Sequence, residues 1–104
     1  MPALTCENKT VAKLHLDRPG QPRMSGIIRE DQCLAVGSDP SNDICLVDED
    51  VATTHCMIAA RGGHVTVRDC FSAAGTFVDQ VRIRELQLQR NAVIQVGRTR
   101  ITVN

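Results

Sequence analysis

The chain predicts an all-β fold, a sandwich of short strands, and three observations predict it. No window of eleven or more residues carries an apolar period near that of a helix. Short apolar runs instead recur every eight to twelve residues, separated by Gly, Pro, Asp and Asn turn formers. The triplet Arg61-Gly62-Gly63 stands between two runs of period two, which is the signature of a hairpin.

Each element follows from its residues. Residues 11–16, V-A-K-L-H-L, form a first strand with Val11, Leu14 and Leu16 as inward candidates, and Asp17-Arg18-Pro19-Gly20 ends it. Ile27 and Ile28 seed a short second strand, and residues 33–36 a third that stops at Gly37. Residues 37–43, G-S-D-P-S-N-D, are dense in turn formers, and residues 43–47 read as a compact fourth strand. After the acidic turn Asp48-Glu49-Asp50, the stretch V-A-T-T-H-C-M-I at 51–58 runs from a loop into a strand over residues 55–60. Gly62-Gly63 then turns the chain into H-V-T-V-R-D, with Val65 and Val67 on one face and His64, Thr66 and Arg68 on the other. Residues 71–75 form a loop of small residues, and 76–78 and 81–83 are short strands. Leu86 and Leu88 flank a Gln-rich connection, and residues 92–96 and 100–103 make a final hairpin around Gly97-Arg98.

Composition narrows the function. At 104 residues, 1–104 reads as one domain able to bury roughly 60 to 70% of its extended surface. With net charge zero, no Trp, no Tyr and two Phe, the chain lacks both the basic footprint and the aromatic platforms of a nucleic-acid binder. Residues 1–50 hold nine acids against five bases and residues 51–104 three against seven, a dipole along the sequence whose default reading is solvated faces. The five cysteines are spaced 27, 12, 11 and 14 apart, without C-x-x-C, so neither a zinc site nor a disulfide framework is indicated. No cofactor is expected, and a reduced intracellular setting, cytoplasmic or nuclear, fits best. Cys33 and Cys45 lie in apolar runs and read as small hydrophobes. No run approaches eighteen apolar residues, so no direct membrane binding is expected, and residues 1–10 read as a flexible segment.

Catalytic and metal readings are weak. His55 stands beside Cys56, but neighbours in a strand point to opposite faces and cannot form the hydrogen-bonded pair a thiol nucleophile needs. His15, His55, His64 and Cys70 show no ligand spacing. Arg82, Arg84, Arg90, Arg98 and Arg100 read first as a solvated sheet face and second as a docking surface for an acidic partner.

The succession G-S-D-P-S-N-D-I-C-L-V-D-E-D-V-A-T-T-H-C-M-I, then H-V-T-V-R-D-C-F-S-A-A-G-T-F-V-D-Q-V-R-I, then A-V-I-Q-V-G, resembles the forkhead-associated (FHA) domain over about residues 26–104. That resemblance implies an antiparallel β-sandwich of about eleven short strands, of the SMAD/FHA type, whose loops at one end bind phosphothreonine peptides. Positions that support the loops match: Gly37 ends the third strand, Asn42-Asp43-Ile44 opens the fourth, His55 is the histidine that ties the loops, and Gly75-Thr76 follows the second binding loop. Positions that hold phosphate depart. Ser38 replaces an arginine, Ala52 the serine of a Ser-Arg-x-His motif, Thr53 the arginine beside it, and Ala74 an asparagine, while a later Asn-Gly is Asp79-Gln80.

Ala52 and Ala74 have no side-chain donor, and Asp48-Glu49-Asp50 and Asp79 are expected to add repulsion for phosphate. The expectation is a non-catalytic scaffolding module that binds protein partners without requiring phosphothreonine, through a loop end formed by Ser38, Ala52, Thr53, Thr54 and Ala74. The alternatives are a weak or atypical phosphothreonine reader, and a homotypic assembly domain, such as a secretion-apparatus ring component, self-associating through an edge strand.

Overall fold

The computed structural model describes residues 9–104. Among the described residues eleven strands succeed one another without an intervening helix: β1 (Thr10–Asp17), β2 (Met24–Arg29), β3 (Cys33–Gly37), β4 (Ile44–Cys45), β5 (Cys56–Arg61), β6 (His64–Asp69), β7 (Thr76–Val78), β8 (Val81–Ile83), β9 (Glu85–Gln87), β10 (Ala92–Val96) and β11 (Thr99–Val103). They form a six-stranded sheet in the order β2-β1-β11-β10-β7-β8 and a five-stranded sheet in the order β4-β3-β5-β6-β9.

Alternation explains which side chains meet between the sheets. Cys56, Ile58 and Ala60 of β5 face inward, as do Val65 and Val67 of β6, Ala92, Ile94 and Val96 of β10, and Ile101 and Val103 of β11. Cross-strand partners Ile58 with Val67, and Ile94 with Ile101, are fully buried and form the centre of the core. The Gly62-Gly63 hairpin forms as expected, with both φ angles positive, at 61° and 77°. Its turn is clamped from outside: the Glu30 carboxylate accepts from Gly62 N at 2.5 Å and Gly63 N at 2.9 Å, and these bonds hold the Glu30 carboxyl below its ordinary range.

Several expectations need correction. In β1 the fully buried set is Ala12, Leu14 and Leu16; Val11, at the register shift between Thr10 and Ala12, is half-buried and packs against the core from the other parity. The expected flexible segment over residues 1–10 lies outside the described residues up to residue 8, and Thr10 already opens β1. The fourth strand is Ile44–Cys45 alone; it runs parallel to β3, so the sandwich is not wholly antiparallel. Leu46 is buried, but Val47 is 92% exposed at the start of the acidic turn. The Gln-rich connection contains strand β9, paired with β6. Cys33 is exposed and Cys45 half-buried, and Cys56 is the cysteine that behaves as a core hydrophobe.

Truncating Ile58, at the centre of this core, to Ala is expected to cost about 2 to 5 kcal/mol in urea unfolding, whereas Leu86→Ala, at an exposed edge position, stays within about 1 kcal/mol.

Candidate functional site

One end of the sandwich gathers the β3–β4 loop (38–43), the β4–β5 loop (46–55), the β6–β7 loop (70–75) and the β10–β11 turn at Gly97-Arg98. Short strands with long connections on this side leave many backbone groups unpaired by the sheets, so side chains must satisfy them.

His55 does most of this tying. It is fully buried, and Ala52 N donates to its Nδ1 at 3.1 Å. An accepting Nδ1 puts the ring hydrogen on Nε2, which donates to Gly75 O at 2.8 Å. The His55 backbone completes the set: its N–H donates to Val36 O at 2.7 Å and its carbonyl accepts from Cys70 N at 2.8 Å. One residue thus joins the end of β3, the β4–β5 loop and the β6–β7 loop.

A second tie lies on the other flank. Asn42 Nδ2 donates to Asp39 O at 2.9 Å and to Thr53 O at 2.6 Å, while Ser38 N donates to Ala52 O at 3.0 Å. Gly37 permits this approach, since a Cβ there would overlap Thr53 O and stand 2.7 Å from Asn42 Nδ2. Sequence reasoning placed Asn42 at a strand opening and missed this role; its position closing a run of turn formers was the available signal.

The β6–β7 loop is organised by a carboxylate. Asp69 Oδ1 accepts from Ser72 Oγ at 2.5 Å and from Thr76 Oγ1 at 2.8 Å, Oδ2 accepts from Ser72 N at 3.2 Å, and Ser72 Oγ in turn accepts from Gly75 N at 3.1 Å. Burial works to raise the Asp69 carboxyl, but these hydrogen bonds outweigh it and the net displacement is downward. Asp69 and Ser72 were not legible as ties from sequence; Asp with Ser three residues on was the only local hint. Arg82 of β8 crosses above this loop, so close to Gly75 that a Cβ there would stand 2.6 Å from its Nε, and its guanidinium donates to Ser72 O at 3.4 Å and Ala73 O at 3.5 Å.

The sequence-predicted residues therefore divide by burial. Gly37, His55, Gly75 and Thr76 are buried beneath the loops. Thr53, Thr54 and Ala74 are exposed, and Ser38 and Ala52 half-buried. None of those five carries a charge. Ser38 borders a cavity of about 770 Å³ shared with Arg18, Arg98, Asp48 and Glu49, two bases and two acids. The Asp48 carboxylate is occupied, accepting from Asp50 N and from Arg98 N, each at 2.9 Å, and these bonds hold it below the ordinary carboxylate range. Asp79 does not join this end. It caps the far side of β7, where its N–H donates to Val93 O at 2.9 Å and its carboxylate accepts from Val93 N at 3.1 Å, so the Asp79-Gln80 change is a turn substitution remote from the loops.

His55 and Cys56 do not form a nucleophilic pair, because both ring nitrogens of His55 are taken by backbone partners. Burial foremost, and Cys70 beside it, push the Cys56 thiol up to about 12, so it stays protonated. His15 bonds Ser25 Oγ at 2.9 Å and His64 faces Gln87 at 3.4 Å, well apart from His55, and among the described residues no three His, Cys, Asp or Glu side chains converge as a metal site would require.

The FHA domain family profile matches residues 34–97. The chain is similar to the FHA domain of the CT664 protein from Chlamydia trachomatis, with a TM-score of 0.82 at 24% identity over 88% of this chain and 94% of that one. It is also similar to a domain solved in a structural and functional study of phosphothreonine-dependent FHA domain interactions, with a TM-score of 0.78 at 27% identity over 89% and 94% of the two chains. The FhaA FHA domain, complexed with the intracellular domain of Rv3910, has a TM-score of 0.78 at 27% identity over 89% and 99%. No curated protein matches the chain.

Two outcomes are expected. His55→Ala orphans two backbone groups and is expected to cost about 1 to 3 kcal/mol in chemical denaturation, against less than about 0.5 kcal/mol for exposed Thr53→Ala. The second concerns acid. Because the folded-state Asp69 carboxyl titrates below its unfolded value, its stabilisation is full above about pH 4 and is lost as pH falls through the lower folded value. Thermal melts of Asp69→Asn should therefore start lower than the wild type at neutral pH and fall less steeply below about pH 4.

Proposed function

The chain belongs to the FHA domain family, and on that premise we propose that it is a scaffolding module that binds protein partners through its loop end without requiring phosphothreonine. One observation carries the reading: the loops are tied together from beneath, yet Ser38, Ala52, Thr53, Thr54 and Ala74 present no charged side chain. A phosphate dianion is held by charge-assisted donors, each contributing on the order of 1.5 to 3 kcal/mol, and an arginine adds the geometry of its planar fork. A micromolar complex amounts to about 8 kcal/mol, so the loss of guanidinium groups and two side-chain donors brings affinity to about millimolar or weaker. Exposed Glu49 and Asp50, in the loop that leads to Ala52, oppose phosphate further. The FhaA domain's complex with the intracellular domain of Rv3910 supports a protein as the partner class.

The competing reading, a residual phosphothreonine reader, draws on the 27% identity to a domain from work on phosphothreonine-dependent interactions. Titration with a phosphothreonine peptide library and matched unphosphorylated controls separates the two. The expected result is no peptide whose phosphorylation brings the Kd below about 100 μM. Because the frame is in place, the combined variant Ser38→Arg, Ala52→Ser, Thr53→Arg, Ala74→Asn is expected to gain phosphate-dependent binding. Selective binding of phosphopeptides by the wild type would overturn the proposal.

A further inference from the structure

A groove of about 540 Å³ runs beside the β6–β7 loop, lined among others by Arg68, Phe71, Arg82, Arg84 and Glu85. It lies where the free edges of both sheets come together, β8 of one and β9 of the other, with Arg84 in the link between them. Two features of its lining are not used up in holding the fold.

The first is an exposed aromatic. Phe71 is 92% exposed and has a φ of 59°, in the left-handed region that bulky side chains avoid. The ties of this loop run through Asp69, Ser72, Thr76 and Gly75 and make no use of the Phe71 side chain. Asn or Gly would occupy the position with less strain. The second is unpaired positive charge. Arg23 pairs with Asp17 and Arg61 with Asp31, whereas Arg68, Arg82 and Arg84 have no carboxylate partner among the described residues. Arg82 makes only long hydrogen bonds to two carbonyls, and the Asp69 carboxylate is occupied by Ser72 and Thr76. Glu85 stands opposite Arg68 in the β6–β9 register without an ion pair between them.

We propose that this groove docks an acidic, unphosphorylated, extended segment of a partner protein, whose carboxylates pair with Arg82 and Arg84 while an adjacent apolar side chain covers Phe71. Charge complementarity selects the occupant. Guanidinium forks match carboxylates, and an aromatic ring beside them matches an apolar neighbour. Asp69 and Glu85 line the same groove, so the excess positive charge is small and spread out, which suits spaced single charges better than one concentrated phosphate dianion. The inference rests on the proposed function only in taking the partner to be a protein, and it places the contact beside the β6–β7 loop.

The test uses three labelled peptides in fluorescence anisotropy: one alternating Glu and Leu, one alternating Gln and Leu, and one with a single phosphothreonine replacing the central Glu of the first. The Glu peptide is expected to bind at least about tenfold tighter than the Gln peptide and to weaken as salt rises from about 50 to about 300 mM. Arg84→Glu, an exposed side-chain change that keeps the carbonyl accepting from Asp69 N, is expected to weaken it at least about fivefold. Phe71→Asn is expected to weaken it by a similar factor while raising the Tm, a pairing that a merely structural Phe71 would not give. Equal affinity for the Glu and Gln peptides, indifference to Arg84→Glu, or a Tm that falls with Phe71→Asn would each overturn the proposal. So would a peptide-free dimer dissolved by Arg84→Glu, which would make the occupant a second copy of the chain. A preference of about tenfold for the phosphorylated peptide, lost in Arg84→Glu, would overturn this groove's assignment to carboxylates; a phosphate preference indifferent to Arg84→Glu would overturn the proposed function instead.

Discussion

The hydrogen bonds of one buried imidazole set the shape of the loop end. β3, β4, β6 and β10 end at this side of the sandwich, and His55 supplies both an acceptor for Ala52 N and a donor for Gly75 O. Neither bond is available from a smaller side chain, and a charged imidazole would lose the first. Because His55 also pairs with Val36 and Cys70 through its backbone, the two loops are anchored to β3 and to the end of β6 at once. The closed approach of Gly37 to Thr53 and the Asp69-Ser72-Thr76 network then build on a frame whose spacing the imidazole has set.

Holding the loops and gripping a phosphate are separable in physical terms. Holding loops in place needs mutually satisfied polar groups, and those are present in buried His55 and Ser72 and half-buried Asn42 and Asp69. Gripping a phosphate needs exposed cationic donors aimed outward at the same loops, and Ser38, Ala52, Thr53 and Ala74 are small and neutral. Basic side chains stand beside these positions: Arg82 and Arg84 flank the β6–β7 loop, and Arg98 closes the β10–β11 turn, with its backbone held by Asp48. Arg82 and Arg84 thus stand beside an exposed Phe71.

Much of this was legible in the sequence. The strands with clean alternation, β5, β6, β10 and β11, and the Gly62-Gly63 turn stood out because period two and turn chemistry are local signals. The motif pattern also singled out His55, Gly37, Gly75 and Thr76, the residues that prove to be buried under the loops. What failed depended on contacts between distant segments. Strand β9 has only Leu86 as an apolar residue and exists because Thr66 and Val67 of β6 offer it an edge. The full burial of Ala12, with Val11 only half-buried against the core, goes with the irregularity in the pairing of β1 with β2, which is not a property of β1 alone. Val47 looked like part of a strand, yet the adjacent Asp48 is drawn off to cap Arg98, fifty residues away in sequence. The proximity of Arg82 to Ser72 and Gly75 was invisible for the same reason, and the distance of Asp79 from the loops could be known only once β7 was paired with β10.

The central claim is that His55 acts as a neutral double tie, with Nδ1 accepting and Nε2 carrying the hydrogen. Long-range proton–nitrogen NMR of the imidazole tests it most directly. The account predicts a single Nε2–H tautomer for His55 with a slowly exchanging ring proton, together with strong hydrogen-exchange protection of the Ala52 amide. An Nδ1–H tautomer, or a rapidly exchanging ring with an unprotected Ala52 amide, would contradict it.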